Sequence, residues 1–342
     1  MENIVNVKDT TETPSISVIV PLYNKVKEIE RSLHSILNQT INEFELIIID
    51  GGSTDGSLEA IKPYLGDSRI QLIQQKTKGL PAARNEAILQ TTGDLIAFLD
   101  ADDEWHPDFL ETIIHLYNTY PGAGIYATAY ERCAITHSKP SPLKGITKPW
   151  EGYLDSWFKV YVESGHPPFC PCCVALHRNV FSKVGYFNPE SRMSEDLEMW
   201  VKVAYHCPIV FTTEIHARYH LFADNKMSLD YYPIEKLPPV VCLESISHEG
   251  LMKHRNYSDI LLTIEYMNLV AAYLNIGAGD KKQAKELIRT SSSGRWRMRR
   301  GGLWVLTWLP KCVGMFVIRC YAKIPLYEYY LQKIIKHKTI KP

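Results

Sequence analysis

The chain has 342 residues, 45% hydrophobic and 22% charged, a globular composition that excludes a disordered or fibrous chain. Lys and Arg balance Asp and Glu at 38 each, yet 281–342 carries 15 basic residues against 2 Glu, which leaves 23 basic and 36 acidic residues in 1–280. The neutral total therefore hides an acidic body and a basic tail, a split that suits an anionic surface.

The first fifteen residues are polar and lack the apolar core of a signal peptide, so a cytoplasmic catalytic region is expected. Ile16–Val20 is a β-branched run stopped by Pro21, the pattern of a buried strand. Ile29, Leu33, Ile36 and Leu37 then repeat at helical spacing. "FELIIID" (44–50) predicts a second buried strand, ending in the Gly-rich turn "GGSTDGS". "SLEAIKPYL" predicts a helix, "IQLIQQ" a short strand, "PAARNEAILQTT" a helix and "LIAFLD" the next strand. Strands alternating with helices imply a mostly parallel α/β sheet, which binds ligands beyond its C-terminal strand ends.

Downstream the pattern is less regular. "HPDFLETIIHLYNTY" predicts a helix and "GIYATAYERC" a strand, while 135–170, rich in Pro, Gly and Trp, predicts loop. "EDLEMWVKVAYHC" returns to helical spacing, and beyond about residue 235 the chain predicts helices only. Two antiparallel helices are expected at 259–275 and 280–290; one such hairpin cannot support a repeat array and should pack on the main domain.

The strand ends carry the chemistry. The first offers Pro21, Tyr23 and Asn24, which alone reads as a surface turn. The second sets Asp50 before Gly51, Gly52 and Gly56; glycines permit close backbone approach, although neither GxGxxG nor GxxxxGK is present. The third is "FLDADDEW", where Asp100, Asp102 and Asp103 crowd together. A helix cap needs at most one acid, and an acid–base pair would need two pKa values pushed apart. A hard divalent cation accounts for three carboxylates best. Glu195-Asp196 opens a predicted helix, where acids also complement the helix dipole. Cys170, Cys172 and Cys173, with His166 and His177 nearby, match no standard zinc spacing, and a buried patch of soft apolar residues is the plainer reading.

Five segments in order, "ISVIVPLYNK", "LHSILNQTINEFELIIIDGGSTDGS", "GLPAARNEAI", "LIAFLDADDEWHPDFLE" and "SEDLEMWVKVA", resemble the family 2 glycosyltransferases. The resemblance runs from about residue 15 to 220. It implies a GT-A fold: a Rossmann-like, mostly parallel sheet flanked by helices, here with a C-terminal helical extension. It also implies inverting transfer of a sugar from a nucleotide diphosphate sugar, with UDP as the expected nucleotide. By resemblance, Pro21, Tyr23 and Asp50 hold the nucleoside, although Gly51 stands where many relatives carry a second acid. Arg84 looks like the arginine near the diphosphate, Asp100 and Asp102 like the DxD motif that binds Mn2+ or Mg2+, and Glu195-Asp196 like the motif whose second acid is the catalytic base. Trp200 would pack behind that base or line the acceptor site, and His220 would approach the diphosphate. The acceptor implied is a glycan or lipid-linked hydroxyl, in surface polysaccharide or glycoconjugate synthesis. A haloacid-dehalogenase-type phosphohydrolase and a non-catalytic sugar-nucleotide binder are the alternatives.

The expected organisation is a polar segment at 1–14, a GT-A domain at 15–235, a helical hairpin extension at 236–294 and a basic, apolar tail at 295–342. The run 301–318 contains Pro310 and Lys311, so an interfacial segment on an anionic membrane is expected rather than a spanning helix. The protein should then sit peripherally at the inner face of the cell membrane, with no nucleic-acid partner.

Overall fold

The computed structural model describes residues 15–222 and 233–309. In chain order the first half forms β1 (Ile16–Leu22), α1 (Ile29–Leu37), β2 (Phe44–Asp50), α2 (Ser57–Ile61), β3 (Ile70–Gln74), α3 (Leu80–Ile88), β4 (Leu95–Phe98), β5 (Glu104–Trp105) and α4 (Phe109–Thr119). There follow β6 (Ile125–Cys133), β7 (Ser138–Pro140), β8 (Glu151–Tyr153), α5 (Trp157–Ser164), β9 (Val174–His177), α6 (Asn179–Val184), α7 (Glu195–His206) and β10 (Ile209–His220). The C-terminal part is helical: α8 (Pro238–Ser245), α9 (His248–Lys253), α10 (Tyr257–Ala278), α11 (Lys281–Thr290) and α12 (Arg297–Leu306).

One sheet runs β3-β2-β1-β4-β9-β6-β10-β5, with β7 on β6 and β8 on β10. β1 to β4 are parallel, as their continuous apolar runs require, because both faces are covered by helices. β9 enters antiparallel between β4 and β6, so the sheet is mixed rather than a simple parallel stack. Ile29, Leu33 and Ile36 of α1 are fully buried, each side chain contributing about 1.5–3 kcal/mol.

Pro21 does not end β1. The strand pairs with β2 as far as Leu22, whereas the ladder to β4 stops at Ile19. The missing Pro N–H therefore falls where one side of the ladder has already ended. The helix expected at "SLEAIKPYL" breaks after Ile61 into a 3-10 turn, since Pro63 cannot donate an α-helical hydrogen bond.

The stretch 135–170 is more ordered than its composition predicts. It holds β7, β8 and α5, whose Trp157 stacks on Tyr161 at 5.2 Å and meets Phe158 edge to face. Tertiary burial of these aromatics overrides the local Pro and Gly signals. The helical hairpin appears as α10 and α11, and α10 packs on α5, α8 and α12. Among the described residues α10 is the one helix long and apolar enough to cross a membrane, yet 78% of its apolar window is buried inside the protein, which makes it a core helix. α12 lies against α10 and α11, with Trp296 and Leu303 buried. Of the expected interfacial run 301–318, residues 310–318 lie outside the described residues.

Candidate active site

The ends of β1, β2 and β4 open on one rim of the sheet. Beyond β2 the Asp50 carboxylate is fully buried and accepts the backbone N–H groups of Gly52 (3.0 Å) and Ser53 (3.1 Å). It is thus the anchor of its own turn, where Gly52 takes a left-handed φ of 86°. That differs from a carboxylate turned outward to a base N–H. The turn is tied to the end of β1: Asn24 Oδ1 accepts the Thr54 N–H at 2.8 Å, and Asp55 Oδ2 accepts that of Val26 at 3.0 Å. Tyr23, 57% exposed, lies over Gly51. A Cβ on Gly51 would sit 2.9 Å from Gln75 Oε1, so Gln75 fills the space that a second acid would take.

Beyond β4 the chain turns back on itself, the Asp103 N–H donating to the Asp100 carbonyl at 2.9 Å. This turn brings Asp100, Asp102 and Asp103 together: carboxylate oxygens of the three lie within 4.8 Å of one another. α1 holds the turn by its backbone, with Ser32 Oγ donating to the Asp103 carbonyl at 2.6 Å and Arg31 to that of Asp102. Trp105 stacks on Phe109 at 4.3 Å and donates its indole N–H to the Cys172 carbonyl at 2.6 Å. Crowded, buried carboxylates repel unless cations balance them. One cation is Lys25, whose ammonium lies 3.0 Å from Asp102. The sequence reading missed Lys25; a lysine in "LYNK" at a strand end facing three acids was the available signal.

A second cation is Arg84. It is 1% exposed and donates to Asp100 Oδ1 and to Glu195 Oε1, both at 3.0 Å. Burial alone would lower the affinity of its guanidinium for its proton; the charges of Asp100, Glu195 and Asp196 outweigh that and raise its pKa. Arg84 is therefore not an exposed arginine waiting for a diphosphate. It is the buried tie between the two acidic motifs. The chain enters α7 through Ser194, whose left-handed φ of 57° swings Glu195 onto that tie. Asp196 is half-buried beside it, one carboxylate oxygen accepting the Leu197 N–H at 2.7 Å.

His220, at the end of β10, donates its backbone N–H to Asp103 Oδ1 at 2.9 Å, and its Nε2 lies 3.1 Å from Glu104 Oε1. This hydrogen bond is the main reason the Glu104 pKa is lowered. Asp103, which the sequence left without a task, thus joins the β4 and β10 strand ends. Trp200 does not line a site: it is 1% exposed and packs edge to face on Phe169 at 5.7 Å. The cysteines form a buried turn under the acid loop, with Sγ of Cys170 3.0 Å from that of Cys172 and 3.7 Å from that of Cys173.

Residues 17–185 match the model described as Glycosyl transferase family 2. The chain belongs to that family. The chain is 33% identical over 151 residues to "Putative glycosyltransferase EpsH" of Bacillus subtilis, covering 43% of this chain and 44% of that protein, so it spans less than half of that relative's length. Its fold resembles that of TarS 1-349 from S. aureus in complex with UDP-GlcNAc, with TM-score 0.63 at 16% identity over 92% of this chain and 89% of that one. It also resembles the mannosyltransferase PcManGT from Pyrobaculum calidifontis in complex with GDP-Man and Mn2+, with TM-score 0.56 at 17% identity over 97% of this chain and 89% of that one. The fold is of the GT-A class with a helical C-terminal region.

Proposed function

We propose that this protein is a metal-dependent, inverting hexosyltransferase that takes a sugar from a UDP-sugar and transfers it to a hydroxyl of a glycan or lipid-linked acceptor, in surface polysaccharide or glycoconjugate synthesis. The observation that carries the reading is the Arg84 tie, which holds the acids of "DADD" and the start of "EDLEMW" on one side of the sheet rim. UDP as the nucleotide is supported by the likeness to TarS, whose structure holds UDP-GlcNAc.

Each residue then has a task. Tyr23 offers an exposed ring for a base to stack on. Glu195 is held by Arg84, leaving the adjacent Asp196 to take the proton from the acceptor hydroxyl as that oxygen attacks C1 opposite the leaving diphosphate. A single displacement inverts the anomeric carbon and needs no covalent intermediate. The grouped carboxylates of Asp100 and Asp102 fit a hard divalent cation, Mn2+ or Mg2+. When bound, such an ion supplies positive charge against the charge that builds on the departing diphosphate. His220, at the end of β10, is tied to that loop through its backbone N–H on Asp103 and would lie near the diphosphate.

The test is nucleotide release from UDP- and GDP-sugars with and without Mn2+. Asp196→Asn should abolish transfer, and Asp102→Ala should abolish the turnover that Mn2+ supports. Full activity in Asp102→Ala, or no nucleotide sugar bound or turned over, ends this reading.

A further inference from the structure

We propose that α12 and the facing edge of α11 form a docking surface for an anionic lipid bilayer. α12 buries Leu303, and Thr307 just after it, against the protein; among the described residues nothing covers the opposite side. That side is apolar: Met298 is 90% exposed, Val305 58% and Trp308 68%. Helical spacing places Met298, Val305 and Trp308 along one stripe. Isolated exposed apolar residues are ordinary, but an aligned stripe containing a Trp marks an interaction face.

The rim decides the occupant. Lys285 places its ammonium 3.9 Å from the centroid of the Trp308 ring, and the Arg289 guanidinium is 5.5 Å from that of Trp304. Arg297 is exposed at the start of α12. Over 281–309 there are 8 Lys and Arg against 1 Glu, and the chain that continues from α12 carries 7 more against 1 Glu. A narrow apolar stripe bordered by long cationic side chains matches a bilayer interface. The apolar side chains and Trp enter the acyl boundary, while Lys and Arg extend to lipid phosphates. A nucleic acid would supply the anions but nothing for Met298 and Val305 to enter. The inference does not depend on the transferase reading, although it would bring the enzyme to a lipid-linked acceptor.

The full-length chain should co-sediment with phosphatidylglycerol/phosphatidylcholine vesicles at low salt and not with phosphatidylcholine alone, and added salt should release it. Each rim cation contributes roughly a fivefold factor at such a surface, so Arg289→Gln with Arg297→Gln should weaken partition about 25-fold. Val305→Asp with Trp308→Ser should abolish binding while leaving the melting temperature and donor binding unchanged. The proposal is overturned if the chain binds no vesicles, if it binds neutral vesicles equally, or if both double variants bind as the parent does. Concentration-dependent self-association that Val305→Asp/Trp308→Ser dissolves would assign the face to a second copy of the chain, and also overturns it.

Discussion

Arg84 is the residue whose replacement tests the site most directly. Its two nitrogens each donate to a carboxylate at 3.0 Å, and the side chains of Arg84, Glu195 and Asp100 are 1%, 9% and 27% exposed. A hydrogen bond to a charged group contributes about 1.5–3 kcal/mol, and removing one partner of a buried pair costs about 3–5 kcal/mol because a charge is left behind. The Asp100 side is more exposed and should be discounted for solvent screening. Arg84→Met should therefore destabilise the fold by about 3–5 kcal/mol, mostly through Glu195. Arg84→Lys keeps the charge but loses the fork, so it can satisfy one carboxylate only and should cost about 1.5–3 kcal/mol. Urea unfolding followed by Trp fluorescence reads both values. Arg84→Met combined with Glu195→Gln should recover part of the loss, since no buried charge is then unpaired. If Arg84→Lys is as stable as the parent, or Arg84→Met loses less than about 1 kcal/mol, the tie is no more than a surface-grade ion pair and the argument fails.

Three further outcomes follow from the same geometry. Lys25 competes with any divalent cation for Asp102, so Lys25→Met should tighten Mn2+ binding in the absence of donor by roughly tenfold; calorimetric titration showing unchanged or weaker binding would refute the competition. His166 is buried, and burial pushes its pKa down from 6.5 to about 4, against the Pro167 carbonyl at 2.7 Å. The unfolded chain thus takes up a proton at pH 6.5 that the folded chain refuses until about 4, so stability present above 6.5 falls on acidification through that window. The loss should be about 3 kcal/mol, and His166→Gln should flatten the difference in unfolding free energy between the two ends of the window. Gly51→Asp should fold with a loss of about 1 kcal/mol, because the atom it meets is the movable end of Gln75. Donor affinity should change more than stability does, and the reverse outcome would place position 51 outside the nucleotide site.

The strands were legible because burial on both faces leaves continuous apolar runs: 16–20, 44–50 and 95–99 are each recognisable from a few consecutive residues. The ends of those strands, with Asp50 and the "DADD" cluster, could be placed by the same local pattern. The strand β9, the long β10 and the aromatic nest of α5 were not legible, since their order comes from partners far along the chain. Trp200 shows the same limit. Its spacing from Asp196 allowed a place in the site, and only packing against Phe169 assigns it to the core. The sequence by itself determined which residue types stand at the sheet rim, the carboxylates of "DADD" and Glu195-Asp196 among them. Only the tertiary structure decided their pairing, because Arg84 and Glu195 are 111 residues apart and meet through sheet topology, not through any local spacing. Burial then converts that meeting into a constraint: with water excluded from Arg84 and largely from Glu195, the guanidinium and that carboxylate must satisfy one another.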